Sequence, residues 1–396
     1  MGHSLIERLA GLLPGAWAFR FGWLLGGLAW HFMPQRRNIV MRNLRIVFAG
    51  EKNLAEIHRM ARETFRRSGA NLVSAAHTAR LTPAELSRVI HIENLALLEE
   101  KLAAGKGVVL LLAHMGNWEI LSRIVHLFPP GSKTGAFYRP LNNPLLDARV
   151  LARRQADGTR MFSKRDPFHQ VTGFLRDGGI VGILADQRVG MQGEVVPFFG
   201  RLTRASPLPS LLARRAKAEV LALSLMTVKP GKWKAVFMAV ESPPSTPHCM
   251  AALENAMRAS LVDVFWLQER WKVNAKPYRP FVKCLEPVVH KGAKPHRAVI
   301  WLPDTPESWQ LPETWLHPDV NYEVVIPAGA RPPEWLPAET KFHTLPPTHS
   351  AMELKRILQM LESCEGLPCD FIVTRNASPM LAKAAATKLI PLVSLP

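Results

Sequence analysis

The chain has 396 residues, 47% of them hydrophobic, with 50 Lys+Arg against 32 Asp+Glu and a formal net charge of +18. That length exceeds one ordinary core and admits two domains, and the composition excludes a disordered chain. The basic excess lies wholly in residues 1–286, which hold 40 basic against 21 acidic residues, while residues 287–396 hold 10 against 11; the N-terminal body therefore faces something acidic, whether nucleic acid, anionic lipid or an acidic carrier protein.

In chain order, Leu9–Trp30 is apolar apart from Arg20 and contains Pro14. About 20 apolar residues can span a bilayer as a helix, although a charge at mid-membrane costs roughly 2.5–3.5 kcal/mol. A helix lying in the interface accommodates both Arg20 and Pro14. Arg36, Arg37, Arg42 and Arg45 follow at once, so residues 1–33 are expected to form a membrane-anchoring helix with the remainder on the cytoplasmic side; a buried core helix is the plain alternative. No basic leader region or small-residue cleavage site marks a removable signal peptide.

From Asn53 to Glu99 the apolar spacing predicts helices, one of them starting at Thr82-Pro83-Ala84-Glu85 with Thr82 as N-cap. Val108–Ala113 reads as a fully buried strand, Gly135–Tyr138 and Ile180–Ala185 as two more, and Val220–Val228 with Trp233–Val240 as a hairpin across Lys229-Pro230-Gly231-Lys232. Strands alternating with helices predict an α/β fold, a mixed sheet flanked by helices, over residues 34–287. After Pro287 the basic excess vanishes and 16 of the 33 prolines appear. There Arg297–Leu302, Glu323–Ile326, Phe371–Thr374 and Ile390–Leu395 read as strands, with helices at Met352–Leu361 and Met380–Lys388. Residues 288–396 are thus expected to form a small α/β module, the boundary falling near Leu285–Lys294. Cys249, Cys284, Cys364 and Cys369 are too few for a disulfide framework, and none belongs to a metal-ligand spacing, so no metal or cofactor is expected.

The chemistry concentrates in Val108–Ile120, VVLLLAHMGNWEI. A buried strand ends at Ala113, His114 follows, Gly116 permits a sharp turn, and Trp118-Glu119-Ile120 starts a helix. On one regular helix His114 and Glu119 would point ~140° apart, so a turn is needed to bring the carboxylate onto the imidazole. A His is a usable base near neutral pH, and a carboxylate behind it fixes the tautomer and stabilises the imidazolium. With no nucleophilic Ser or Cys in the segment, His114 would deprotonate an acceptor hydroxyl directly. A structural His and a helix-capping Glu on a βα loop are the plain alternative, countered by the position at a strand's carboxyl end, where α/β folds collect ligands.

The block HMGNWE at 114–119 resembles the His-x4-Glu block of the lipid A secondary (late) acyltransferases, within the wider superfamily that includes the glycerol-phosphate acyltransferases. FYRPLNNPLLD at 137–147, RDGGIVGILADQRVG at 176–190 and VPFFGRLTRAS at 196–206 resemble that family's further blocks in the same order. The resemblance implies a glycerol-phosphate-acyltransferase-like fold and transfer of an acyl chain from acyl-carrier-protein thioester to a hydroxyl of a lipid A precursor, at the cytoplasmic face of the inner membrane. It implies His114 and Glu119 as the catalytic pair. Arg139 is then a candidate to bind phosphate or polarise the thioester oxygen, Asp186 to orient Arg139 or the site, and Gln187 to offer amide hydrogen bonds. Asn117 is expected to hold the turn, Arg154 to contact phosphate or the acidic carrier, and Pro197–Gly200 to shape a wall of an acyl tunnel or the core. One departure stands out: VFWLQERWK at 264–272 carries Gln268 where the family usually has His.

The segment at 371–395 faintly resembles the C-terminal donor-site block of lipopolysaccharide heptosyltransferases but lacks its Asp, Gly and His. About 110 residues supply only one of the two halves a B-type glycosyltransferase needs, so the module resembles a degenerate half. Nucleic-acid binding has no recognisable module to support it. The remaining alternatives are an acyltransferase for another glycolipid or phospholipid and a catalytically silent membrane scaffold.

Overall fold

The computed structural model describes residues 13–138, 140, 143–163, 166–190, 192–271, 296–302, 309–313, 316, 320–336, 340–346, 350–363 and 368–395. Arg139, the proposed boundary near Leu285–Lys294, and the start of the Leu9–Trp30 segment lie outside the described residues. The chain divides into two compact units, one of Met1–Arg37, Arg59–Glu194 and Arg204–Gln268, the other of Asn38–His58, Val195–Thr203 and Glu269–Pro396.

The first unit is built on a seven-stranded sheet in the order β1-β9-β8-β2-β5-β3-β4. Its strands are β1 (Ile90–Glu93), β2 (Val108–Leu112), β3 (Thr134–Phe137), β4 (Arg160–Phe162), β5 (Ile180–Leu184), β8 (Glu219–Lys229) and β9 (Lys232–Ala239). All neighbours are parallel except the β8–β9 hairpin, so the sheet is mixed, as expected. Every residue of β2 is buried, which is why it reads as a continuous apolar run with no alternation. The helix Pro83–Val89 begins with the predicted capping box, Glu85 N–H donating to Thr82 Oγ1 and Thr82 N–H to the Glu85 carboxylate. Two local expectations fail. Ile90–Glu93 is a strand and not part of a helix, because it adds an edge to β9. After Asn117 the chain forms two short 3-10 turns, Trp118–Ser122 and Ile124–Leu127, in place of an α-helix.

At the N-terminal side lie α1 (Gly15–Phe32), α2 (Pro34–Phe48) and α3 (Leu54–Thr78). Among the described residues no helix is long and apolar enough to cross a membrane. The membrane-anchoring helix expected over residues 1–33 is therefore not supported as a span: α1 carries Arg20 and His31, and one face of it is committed to α3. A Cβ on Gly22 would sit 2.5 Å from the carbonyl oxygen of Gly69, and one on Gly26 2.2 Å from that of Phe65, so the two backbones touch.

In the second unit a five-stranded, wholly parallel sheet runs in the order β12-β11-β10-β13-β14. Its strands are β10 (His296–Trp301), β11 (Val320–Pro327), β12 (Lys341–Leu345), β13 (Phe371–Arg375) and β14 (Leu392–Leu395), with helices Ala351–Ser363 and Pro379–Thr387. The expected strand–helix alternation is present, with β12 as an additional strand. The unit also contains the tip of a two-stranded hairpin, β6 (Glu194–Phe198) and β7 (Arg201–Ala205). There Phe198 and Phe199 pack on each other and on Trp271, so the Pro-Phe-Phe-Gly block serves a core.

Candidate active site

Parallel pairing of β2 with β5 sets Leu112 beside Leu184, and the Ala185 amide donates to the Leu112 carbonyl at 3.0 Å. The residues just past the two carboxyl ends, His114 and Asp186, are thereby brought together from 72 positions apart. His114 Nδ1 lies 2.7 Å from Asp186 Oδ1, and the Asp186 side chain is wholly buried. A buried carboxylate at that distance selects the tautomer with hydrogen on Nδ1 and leaves the Nε2 lone pair available. Gln187 agrees with this assignment, its Nε2 amide donating towards His114 Nε2 at 3.3 Å. The Trp118 indole meets the His114 ring edge-on, centroids 5.5 Å apart.

Glu119 is not the carboxylate on His114, contrary to the expected pairing. The tight 3-10 turn carries its side chain onto the helix Pro144–Gln155, where it takes a two-pronged contact from Arg154: Nη2 to Oε1 at 2.6 Å and Nε to Oε2 at 3.0 Å. Trp118 Nε1 also donates to Glu119, at 3.1 Å. Asn117 is buried and its amide donates to Thr78 Oγ1, so it holds the turn and does not cap the segment after it.

The backbone of the His114 loop is held from behind by a segment that sequence reasoning missed. Phe265 N–H donates to the His114 carbonyl at 2.7 Å, Gly116 N–H donates to the Asp263 carbonyl at 2.9 Å, and Met115 bridges to Val264. The buried Asp263 carboxylate in turn accepts from Thr227 Oγ1 and Ser260 Oγ, both at 2.7 Å, and from the Thr227 amide at 2.9 Å. Gly116 has φ +55°, and a Cβ there would stand 2.5 Å from the Leu225 carbonyl oxygen. Only a Val-Asp-Val run before Phe265 marks this support in the sequence, too little to find it.

Next to the dyad an apolar pocket opens between β2, β3 and β5 on one side and the 3-10 turns on the other. It holds roughly 680 Å³ of space free of atoms, part of it continuous with solvent. Leu110, Leu112, Ile124, Phe128, Met161 and Gly182 line it, and Glu119 and Arg154 are the charged side chains in its wall. Trp118 belongs to the same lining, so one indole separates the pocket from His114.

An imidazole poised to take a proton beside a pocket suited to a long hydrocarbon meets the needs of an enzyme that moves acyl chains onto hydroxyls. The sequence profile of the bacterial lipid A biosynthesis acyltransferases matches residues 5–273. The chain belongs to that family and is an O-acyltransferase. It is 24% identical over 260 residues to the lipid A biosynthesis palmitoleoyltransferase of Escherichia coli K12, covering 63% of this chain and 83% of that protein. It is 26% identical over 246 residues to the lipid A biosynthesis lauroyltransferase of the same organism, covering 62% and 77%. With a phosphatidylinositol mannoside acyltransferase of Mycobacterium tuberculosis it shares 32% over 141 residues, covering 35% and 43%.

Proposed function

We propose that this enzyme moves a fatty acyl chain from an acyl-carrier-protein thioester to a hydroxyl of a lipid A precursor, working at the cytoplasmic face of the inner membrane. The observation that carries the chemistry is the His114–Asp186 contact at the carboxyl edge of β2 and β5, beside the apolar pocket. His114 Nε2 removes the proton of the acceptor hydroxyl as its oxygen attacks the thioester carbonyl. Asp186 holds the ring and stabilises the imidazolium. The tetrahedral intermediate then collapses, the carbon–sulfur bond breaks, and the proton passes from Nε2 to the departing thiolate. The hydrocarbon occupies the apolar pocket. Glu119 acts through Arg154 and Trp118 to shape the pocket wall, and Gln187 is displaced from Nε2 by the acceptor. Arg139 is assigned to substrate positioning. The basic excess of residues 1–286 supports an acidic carrier as donor and anionic lipids as surroundings.

A second reading, acylation of a different glycolipid, is favoured only by the similarity to phosphatidylinositol mannoside acyltransferases. The experiment that decides is mass spectrometry of lipid A from cells with and without the protein, paired with acyl transfer from acyl carrier protein by purified wild type and His114→Ala. An unchanged lipid A profile rejects the acceptor. Near-wild-type turnover in His114→Ala rejects the base and, with it, the mechanism.

A further inference from the structure

His114 presents little of itself to solvent, with 16% of its side chain exposed. Nδ1 is taken by Asp186 at 2.7 Å, the Trp118 indole stands edge-on to the ring on the side of the apolar pocket, and Phe265 N–H holds the main-chain carbonyl. Nε2, the atom that receives the proton, is met by the side-chain amide of Gln187 at 3.3 Å. With the ring hydrogen on Nδ1, Nε2 has a lone pair and no hydrogen, so the amide presents its N–H there and not its carbonyl.

The backbone on either side of Gln187 is fixed. Before it, Ala185 N–H donates to the Leu112 carbonyl at 3.0 Å, and the Asp186 side chain is wholly buried. After it, Val189 N–H donates to the Arg204 carbonyl of β7 at 3.1 Å. The Gln187 side chain itself is exposed, so it can exchange His114 for solvent. A donor fixed at its root and free at its tip can cover the base and still yield it to a competitor.

That competition matters because a base beside a bound thioester serves water as well as an alcohol. With water as nucleophile, its oxygen attacks the thioester carbonyl while Nε2 takes its proton. The carbon–sulfur bond then breaks, the thiolate recovers the proton, and the products are a free fatty acid and a thiol. Water reaches Nε2 only by replacing the Gln187 amide, and it brings no other contact to offset the exchange. An acceptor lipid held elsewhere along its length uses part of that remote binding for the same exchange. Covering Nε2 therefore hinders water at all times and hinders the acceptor only below saturation.

We propose that Gln187 caps the His114 base and suppresses hydrolysis of the bound thioester until an acceptor displaces it, so that this side chain sets the selectivity for alcohol over water. The proposal deepens the proposed transfer reaction and rests on His114 as its base. Gln187 acts through His114 and is in this sense a positioning residue.

The test measures thiol release by the full-length enzyme from dodecanoyl thioesters of acyl carrier protein and of coenzyme A in parallel, without acceptor and over a range of acceptor concentrations. In Gln187→Ala, hydrolysis without acceptor rises about two- to tenfold, the range a single neutral hydrogen bond supplies. KM for the acceptor falls by a similar factor, because nothing has to be displaced. Gln187→Met keeps the length and bulk without the N–H and behaves as the alanine variant does. Hydrolysis at or below the wild-type rate in both variants overturns the cap. So does a raised acceptor KM, which would show that Gln187 holds the acceptor directly. His114→Ala separates the two readings: if it loses hydrolysis and transfer together, the base stands whatever Gln187 does, whereas retention of both removes the base and the cap with it.

Discussion

Asp186→Asn tests which carboxylate works with His114. The amide is nearly isosteric, and the residue is buried at the end of a central strand, so the fold should survive. The lost contact is a charge-assisted hydrogen bond of 2.7 Å to a group that becomes cationic during the reaction, worth about 1.5–3 kcal/mol, or roughly 10–100-fold in rate. The amide can in addition donate to Nδ1, which moves the ring hydrogen to Nε2 and removes the lone pair that takes the proton. Together these predict a fall of about 10²–10⁴, the range general base catalysis supplies, with kcat and kcat/KM dropping in parallel. Release of free carrier thiol with purified enzyme and saturating acceptor measures it. Glu119→Gln is the control: it keeps an acceptor for Trp118 and one prong of the Arg154 contact, so it should lose far less and mainly in KM. If Glu119→Gln proves the crippling change and Asp186→Asn the mild one, the dyad has been assigned to the wrong carboxylate.

Other expectations are more local. Gly116→Ala forces a side chain into φ +55° and against the Leu225 carbonyl; the strain of about 1–2 kcal/mol for the backbone alone should lower the melting temperature and displace His114 enough to cut activity at least tenfold. Gly182→Val adds methyls to the pocket wall, its Cβ already 3.0 Å from Leu112 Cδ1. In competition assays, turnover with long acyl donors should fall more than with short ones, and equal loss for all donors would argue against the pocket as the acyl site. In the second unit, burial alone would raise the Glu323 carboxyl, but hydrogen bonds from His343 and Arg297 hold it down at about 2. With the folded value below the ordinary 4.5, its stabilisation is complete above about pH 4.5 and lost as pH falls towards 2. The free energy of unfolding by urea should therefore fall more steeply between about pH 4.5 and 2 in wild type than in Glu323→Gln, which has no carboxyl there to titrate.

Much of the catalytic sheet was legible because local signals and tertiary demands agree there. β2 and β5 are buried on both faces and so read as unbroken apolar runs, and the Thr82 capping box needs no long-range information. Partners across the sheet were not legible. His114 and Glu119 are close in sequence, which made them look like a pair, but parallel pairing of β2 with β5 delivers Asp186 instead. The helix expected at Trp118 failed for a related reason. Asn117 could have capped it, yet its side chain is drawn off to Thr78 on α3, and the segment closes into 3-10 turns. Period-2 alternation over only Ile90–Glu93 is too short to compete with the helical pattern around it, and its strand character comes from β9 alone.

Domain organisation shows the limit of composition most clearly. Composition marks where the chain changes character, near residue 287; contacts mark which residues pack together, and 38–58 and 195–203 pack in one unit with 269–396. The charges explain why. Arg42 and Arg45 on α2 both reach Glu362, at 2.9 and 3.3 Å, and Arg42 also donates to the Cys369 carbonyl at 2.6 Å. Arg201, at the tip of the β6–β7 hairpin, is buried and paired with Asp370. Burial pushes the Arg201 guanidinium below its usual value while Asp370 pulls it back. Removing one partner of such a buried pair costs about 3–5 kcal/mol because the other charge is stranded. A chain ended at residue 287 takes the Glu362 and Asp370 carboxylates from Arg42, Arg45 and Arg201 at once and uncovers Ile39 and Ile46 of α2, which line a cavity with Ala382, Ala386 and Leu389. The three arginines and both isoleucines lie within the 5–273 stretch that matches the acyltransferase family. Truncation at the compositional boundary should therefore yield aggregated protein, whereas Glu362→Gln with Asp370→Asn in the full chain should keep the fold but melt several degrees lower. A truncated chain that stays soluble and melts like the intact one would show that the buried carboxylates of the C-terminal stretch are dispensable to α2 and the hairpin.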